Sequence, residues 1–259
     1  MVPLHYQTYG QPGRPVLVFL HGLFGSSTNW SSIARQCAMD YYVLVPDMRN
    51  HGRSPHSESM NYTAMTHDLI ALLDKECIAQ ATLVGHSMGG KVAMRMALLA
   101  PQRVTALAIV DIAPVTYQHN FDRFFHAFDC VDLHTVTNRN DAQHQMAEHQ
   151  LEESMQFFLL QNLRKTGNAW EWRINLNAIR VGQQAITSFD APLGCSYSKP
   201  AWFIYGTQSD YVQPAHGATV GAYFPQATYH PIAEADHWVH VDQPVLFKQV
   251  LQQFLAASS

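Results

Sequence analysis

The chain of 259 residues is 47% hydrophobic and 14% charged, with 16 Lys+Arg against 20 Asp+Glu and a formal net charge of −4. Its length suits one or two domains and lets it bury about 75% of the surface its unfolded form exposes, so metal or disulfide staples are not needed for folding. The balance is slightly acidic and no basic run occurs, which argues against nucleic acid or an anionic membrane bound by charge.

Cys37, Cys77, Cys130 and Cys195 stand far apart with no CxxC, so neither a zinc cluster nor a disulfide framework is indicated. Met1 to Tyr6 has no basic and no apolar region of the kind a secretory signal needs. The longest apolar run, Val104 to Val115, is interrupted by Asp111 and is too short to span a bilayer. The expectation is a cytoplasmic globular protein.

Leu4 to Tyr9 alternates like an edge strand and ends at Gly10-Gln11-Pro12-Gly13. Val16–Leu20, Tyr42–Val45, Ala81–Val84, Ala106–Val110 and Ala201–Tyr205 are short apolar runs of the buried-strand type. Tyr62–Glu76 sets Met65, Leu69, Leu72 and Leu73 on one helical face, and Lys91–Leu99 is a second helix stopped by Pro101. Thr228–Ile232 is a last strand and Val245–Leu255 a C-terminal helix. Strands alternating with helices predict an α/β fold with a largely parallel sheet.

That rhythm stops between Tyr117 and Lys199. The segment is polar and helical, with aromatic clusters at Phe121, Phe124, Phe125 and Phe128, at Phe157 and Phe158, and at Trp170 and Trp172. It predicts a helical cap (residues 117–199) inserted into a core made of residues 1–116 and 200–259.

The chemistry is concentrated at three strand ends. Leu83-Val84-Gly85-His86-Ser87-Met88-Gly89-Gly90-Lys91 is a strand running into Gly-x-Ser-x-Gly and then a helix. A nucleophilic serine needs such a strained turn to lift its hydroxyl clear of the backbone, with glycines beside it where a Cβ would crowd the turn. The helix behind Ser87 leaves N–H groups unbonded, and that of Met88 can bind an oxyanion. Phe19-Leu20-His21-Gly22-Leu23-Phe24-Gly25 ends another strand and offers the Leu23 N–H as the second oxyanion donor, with His21 bracing the loop.

Late in the chain, Ala233-Glu234-Ala235-Asp236-His237-Trp238-Val239-His240 follows the last strand, where a general base belongs in the order nucleophile, acid, histidine. His237 is the base and His240 a structural histidine. His144 and Glu148 share an i, i+4 helical spacing and read as a solvent-facing pair rather than a metal site. Phe24, Trp30, Met88, Phe121, Phe124 and Trp238 are candidate walls of an acyl pocket.

Together with Pro46-Asp47-Met48-Arg49-Asn50-His51-Gly52-Arg53-Ser54 and Asp111-Ile112-Ala113-Pro114, these motifs resemble the α/β-hydrolase superfamily. More narrowly, the chain resembles YbfF-type esterases and the abhydrolase-domain-11 group over nearly its whole length. The resemblance implies an eight-stranded, mostly parallel sheet with the cap inserted after the sixth strand. It also implies serine esterase or thioesterase activity on a small-molecule acyl ester or acyl-CoA-type thioester, without cofactor or metal. The oligomer expected is a monomer or weak homodimer.

The superfamily usually sets its acid in a Gly-x-x-Asp step, but Gly206-Thr207-Gln208-Ser209-Asp210 puts Ser209 there and Asp210 one later. The alternative site after the preceding strand holds Asp111. The YbfF-type resemblance favours Asp111 as the acid, with Asp210 as the alternative and Ser209 as an auxiliary hydrogen-bond partner. The Asp47 to Ser54 loop is expected to brace neighbouring strands. Cofactor-free haloperoxidases, carbon–carbon bond hydrolases and hydrolase-fold receptors use the same scaffold and remain alternatives.

Overall fold

A computed structural model describes residues 1–118, 120–147, 151–191 and 194–258. The chain opens with β1 (Tyr6–Tyr9), β2 (Val16–Leu20), α1 (Ser31–Cys37) and β3 (Tyr42–Pro46), followed by α2 (Tyr62–Lys75), β4 (Ala81–His86), α3 (Met88–Leu99) and β5 (Val104–Val110). The segment that leaves β5 contains α4 (Asp122–Asp129), α5 (Arg139–Ala147), α6 (Glu153–Leu160), β6 (Leu163–Thr166), β7 (Ala169–Trp172), α7 (Leu176–Val181) and α8 (Gln183–Thr187). The chain returns through β8 (Ala201–Gly206), α9 (Gly217–Tyr223), β9 (Ala227–Ile232), α10 (Val239–Asp242) and α11 (Pro244–Ala257).

Among the described residues the main sheet has seven strands, in the order β1-β3-β2-β4-β5-β8-β9, where eight were expected. Only β1 runs antiparallel to its neighbour. The N-terminal region supplies one edge strand, so the long insertion leaves after the fifth strand rather than a sixth.

The strands read as unbroken apolar runs because both faces of the sheet are covered. Their side chains alternate between two cores. Leu17, Phe19, Val43, Val45, Val84 and Ala108 face α1 and α11, while Val18, Leu20, Leu44, Leu83, Leu107 and Ile109 face α2, α3 and the insertion. Asn61 caps α2 by accepting from the Ala64 N–H at 2.9 Å, which satisfies one orphan donor of the first turn.

The insertion is not wholly helical. Leu163–Thr166 and Ala169–Trp172 pair as an antiparallel hairpin closed by Gly167-Asn168, with Gly167 at φ +60°. A two-residue turn with glycine first matches the twist of its flanking strands, and the alternation of Trp170 and Trp172 is a strand period.

Candidate active site

Ser87 sits between β4 and α3 at φ +53° and ψ −117°, a backbone strain of about 1–2 kcal/mol for a residue with a Cβ. The turn is so tight that a Cβ on Gly85 would lie 2.3 Å from the Gly89 carbonyl oxygen, and one on Gly89 would lie 2.4 Å from that of Leu20. α3 therefore begins at Met88, three residues earlier than apolar periodicity predicts, and the Met88 N–H lies ahead of the first intrahelical hydrogen bond.

Asp111, fully buried at the end of β5 with φ +52°, accepts three hydrogen bonds. Gly206 N–H donates to Oδ1 at 3.1 Å and Ser209 Oγ to Oδ2 at 2.5 Å, while His237 Nδ1 donates to Oδ2 at 2.7 Å. His237 Nε2 stands 3.1 Å from Ser87 Oγ. Asp210 is exposed and its carboxylate accepts from Gln213 Nε2 at 3.4 Å, away from the imidazole. The one-residue offset noted in the sequence turns the Asp210 side chain outward and leaves Ser209 facing inward.

Two residues without a predicted role hold His237. The Tyr211 ring stacks on His237 at 4.0 Å between centroids and 24° between planes. His86 Nε2 donates to the His237 carbonyl at 2.9 Å and anchors its loop. Burial, and then the nearby His237 and His240, hold the His86 pKa well below the ordinary histidine value, so this anchor stays neutral. His86 lies inside the Gly-x-Ser-x-Gly motif and Tyr211 directly follows Asp210, but their roles depend on packing from other loops.

The β2 loop is braced on both sides. His21 donates through Nδ1 to Gly22 O at 2.8 Å and accepts the Met48 N–H through Nε2 at 2.9 Å, the bracing role expected of it. Gly25 N–H donates to Gly22 O at 3.1 Å, closing a turn that contains Leu23 and Phe24. The Asp47 carboxylate accepts from the N–H groups of Ser27 and Arg53 at 2.6 and 2.9 Å, tying the β3 loop to the segment after β2.

The candidate pocket walls divide. Phe24 is buried at the centre of an aromatic cluster, with ring centroids 5.4–6.3 Å from Phe121, Phe124, Phe125 and Phe128. Phe121 and Phe124 are half-buried, as is Trp238, which meets Phe158 of α6 at 4.3 Å. Trp30 is a correction. It is fully buried in the opposite core, against Phe19 at 5.0 Å and stacked on His240 at 4.5 Å, and reaches no site residue. Its place after an apolar-motif loop suggested a wall, but the 3-10 turn Ser27–Trp30 that leads into α1 sets it beneath the sheet. His240 is the buried structural histidine expected, with its pKa lowered to about 4 by burial. Of the pair in the insertion, His144 is exposed on α5 and Glu148 lies outside the described residues. Among the described residues no helix is long and apolar enough to cross a membrane.

Residues 15–244 match the family model described as alpha/beta hydrolase fold. The mouse sn-1-specific diacylglycerol lipase ABHD11 is 39% identical, over 98% of this chain and 86% of its own length. Esterase YbfF of Escherichia coli is 38% identical, over 95% of this chain and 94% of its own. Among solved structures, a marine microorganism esterase superposes with a TM-score of 0.94 at 31% identity, covering 98% of this chain and 100% of that one. The chain belongs to the α/β hydrolase fold family, and within it to the esterase- and lipase-type group that includes these relatives.

Proposed function

We propose that the chain is a serine carboxylesterase or thioesterase that hydrolyses small to medium acyl esters or acyl-CoA-type thioesters through a Ser87-His237-Asp111 triad. The observation that carries this reading is the unbroken line from Ser87 Oγ to His237 Nε2, 3.1 Å, and from Nδ1 to Asp111 Oδ2, 2.7 Å.

The mechanism follows from that line. Asp111 holds the proton on Nδ1, so Nε2 keeps its lone pair for the Ser87 hydroxyl proton. Oγ attacks the acyl carbonyl, and the Leu23 and Met88 N–H groups receive the charge that develops on oxygen. The imidazolium then protonates the leaving alcohol or thiol. A water deprotonated by the same ring hydrolyses the acyl-enzyme and returns Ser87. Ser209 shares Asp111 Oδ2 with His237 and steadies the carboxylate. The 117–199 segment acts as a cap over this site, with Phe121, Phe124 and Trp238 along the acyl chain's path.

A fluorophosphonate should label the wild-type chain at Ser87, and p-nitrophenyl butyrate hydrolysis should fall at least 10⁴-fold in Ser87→Ala. Hydrolysis that survives in folded Ser87→Ala would end the reading. Tight ligand binding without serine-dependent turnover would favour a receptor instead.

A further inference from the structure

Asn162 belongs to the insertion, in the turn between α6 and β6, yet its side chain enters the loop that carries the proposed oxyanion donor. Its Nδ2 donates to the Phe24 carbonyl at 2.8 Å, and the contact is buried. Phe24 has φ +62°, a left-handed conformation costly for an aromatic residue. The same residue is pinned from the other side, because its N–H donates to His51 Nε2 at 3.2 Å. His51 Nδ1 donates to Arg49 O at 2.9 Å, which keeps the lone pair on Nε2. Burial, and then His21 beside it, lower the His51 pKa to about 3, so this acceptor is not lost at neutral pH.

The Phe24 backbone is thus clamped between a core imidazole and an insertion amide. The clamp bears on the Gly22–Gly25 turn, whose first peptide carries the Leu23 N–H. A strained residue persists only where its surroundings over-determine it. Half of that determination comes from a different part of the chain. Asn162 is itself fixed, since Nδ2 also donates to Leu159 O at 3.2 Å and the Asn162 main-chain carbonyl accepts the Arg173 N–H at 2.8 Å.

We propose that Asn162 is a positioning residue for the oxyanion hole, aiming the Leu23 N–H through Phe24 only while the inserted segment is seated on the core. This rests on the serine-hydrolase reading above. It makes acyl transfer conditional on cap position, so that an unseated cap leaves the nucleophile intact but the developing oxyanion poorly held.

The test measures kcat and KM on p-nitrophenyl butyrate for Asn162→Ala and Asn162→Asp, expressed per fluorophosphonate-titrated serine. Both variants lose the donor, and Asp keeps the shape. Each should lower kcat about 10- to 100-fold with KM within about threefold, the loss expected when a preorganised donor is misaimed. The affinity of an alkyl trifluoromethyl ketone, whose tetrahedral adduct places an oxyanion in the hole, should fall in the same ratio as kcat/KM. A folded Asn162→Asp with wild-type kcat, or ketone affinity unchanged while kcat falls, would overturn the proposal and leave the Ser87 reading standing. Ser87-independent hydrolysis in the parallel Ser87→Ala control would instead remove the reading beneath it.

Discussion

In the core, main-chain geometry places most of the proposed reactive groups. Ser87 N–H donates to Val110 O at 3.0 Å, Asp111 N–H to Ile204 O at 2.9 Å, and the His237 loop hangs from His86. The first two bonds continue the sheet ladders of β4, β5 and β8, so that Ser87 and Asp111 inherit the rigidity of the sheet, while the His237 loop is held by a side chain. The insertion touches the same neighbourhood through side chains, in Asn162 on Phe24 O, Phe158 on Trp238 and Asn175 Nδ2 on Asn50 Oδ1 at 3.2 Å, and through a main-chain bond, from the Asn175 N–H to Asn50 O at 3.0 Å. Side-chain contacts can be remade one at a time, whereas a ladder cannot slip without moving every residue to the wrong face. The core is therefore suited to fixing geometry and the insertion to contacts that can be adjusted.

The largest effect that can break this contrast concerns the acid. Asp111→Asn should lower kcat about 10⁴-fold, because the amide cannot hold the imidazole in the required tautomer. Asp210→Asn should leave kcat within a few-fold of wild type, since its carboxylate faces solvent and Gln213. Steady-state kinetics on p-nitrophenyl butyrate decides between them. If the two results were exchanged, the reactive geometry would not be set by the end of β5.

Trp30 sharpens the contrast from the opposite side of the sheet. Its ring packs on Phe19, Phe247 and His240. Trp30→Ala should cost about 3–5 kcal/mol of unfolding free energy through the cavity it leaves. Because the ring touches none of the reacting groups, kcat per folded molecule should stay within about threefold. Urea unfolding and active-site titration measure the two quantities separately. A large rise in KM at unchanged stability would restore Trp30 to the acyl pocket.

What could be read from residues alone follows the same division. Strands β2, β3, β4, β5 and β8 were legible because a doubly covered parallel strand is largely apolar, and the tight turn at Ser87 because of the glycines beside it. His237 was legible from chain order. The choice between Asp111 and Asp210 was not a matter of local pattern, since it turns on which side chain a loop directs inward after β8. The hairpin at Leu163–Trp172 was missed although Gly167-Asn168 is a hairpin turn signal, because polar Arg164, Lys165 and Glu171 give its strands no apolar run. Tyr211, His86 and Asn162 act across sequence separations of 26, 151 and 138 residues, and no local period reports such contacts.

Lys91 joins the two regions, and its titration gives the most specific test. Its ammonium is buried in α3 and donates to Val115 O at 2.9 Å, where the chain leaves the core, and to Thr187 O and Ser188 O at 2.8 Å, where it returns. The rings of Tyr62 and Tyr117 face it at 5.7 and 4.8 Å, and Arg95 lies one turn farther along the helix, ion-paired to Asp190. Burial without a facing carboxylate brings its pKa down to about 7 from 10.5. Between those values the unfolded chain holds one more proton than the folded chain, so this group makes stability rise with pH across that window. Below about pH 7 both states are protonated and the cost of burying the charge is present in full. Lys91→Met removes the titration, so the stability of wild type relative to the variant should increase from pH 7 toward pH 10, with a limiting slope of about 1.4 kcal/mol per pH unit. Urea unfolding of both proteins at several pH values measures that slope. A flat difference would mean that the three carbonyls keep the ammonium charged throughout, making Lys91 a permanent tie between the ends of the insertion rather than one that loosens with its proton.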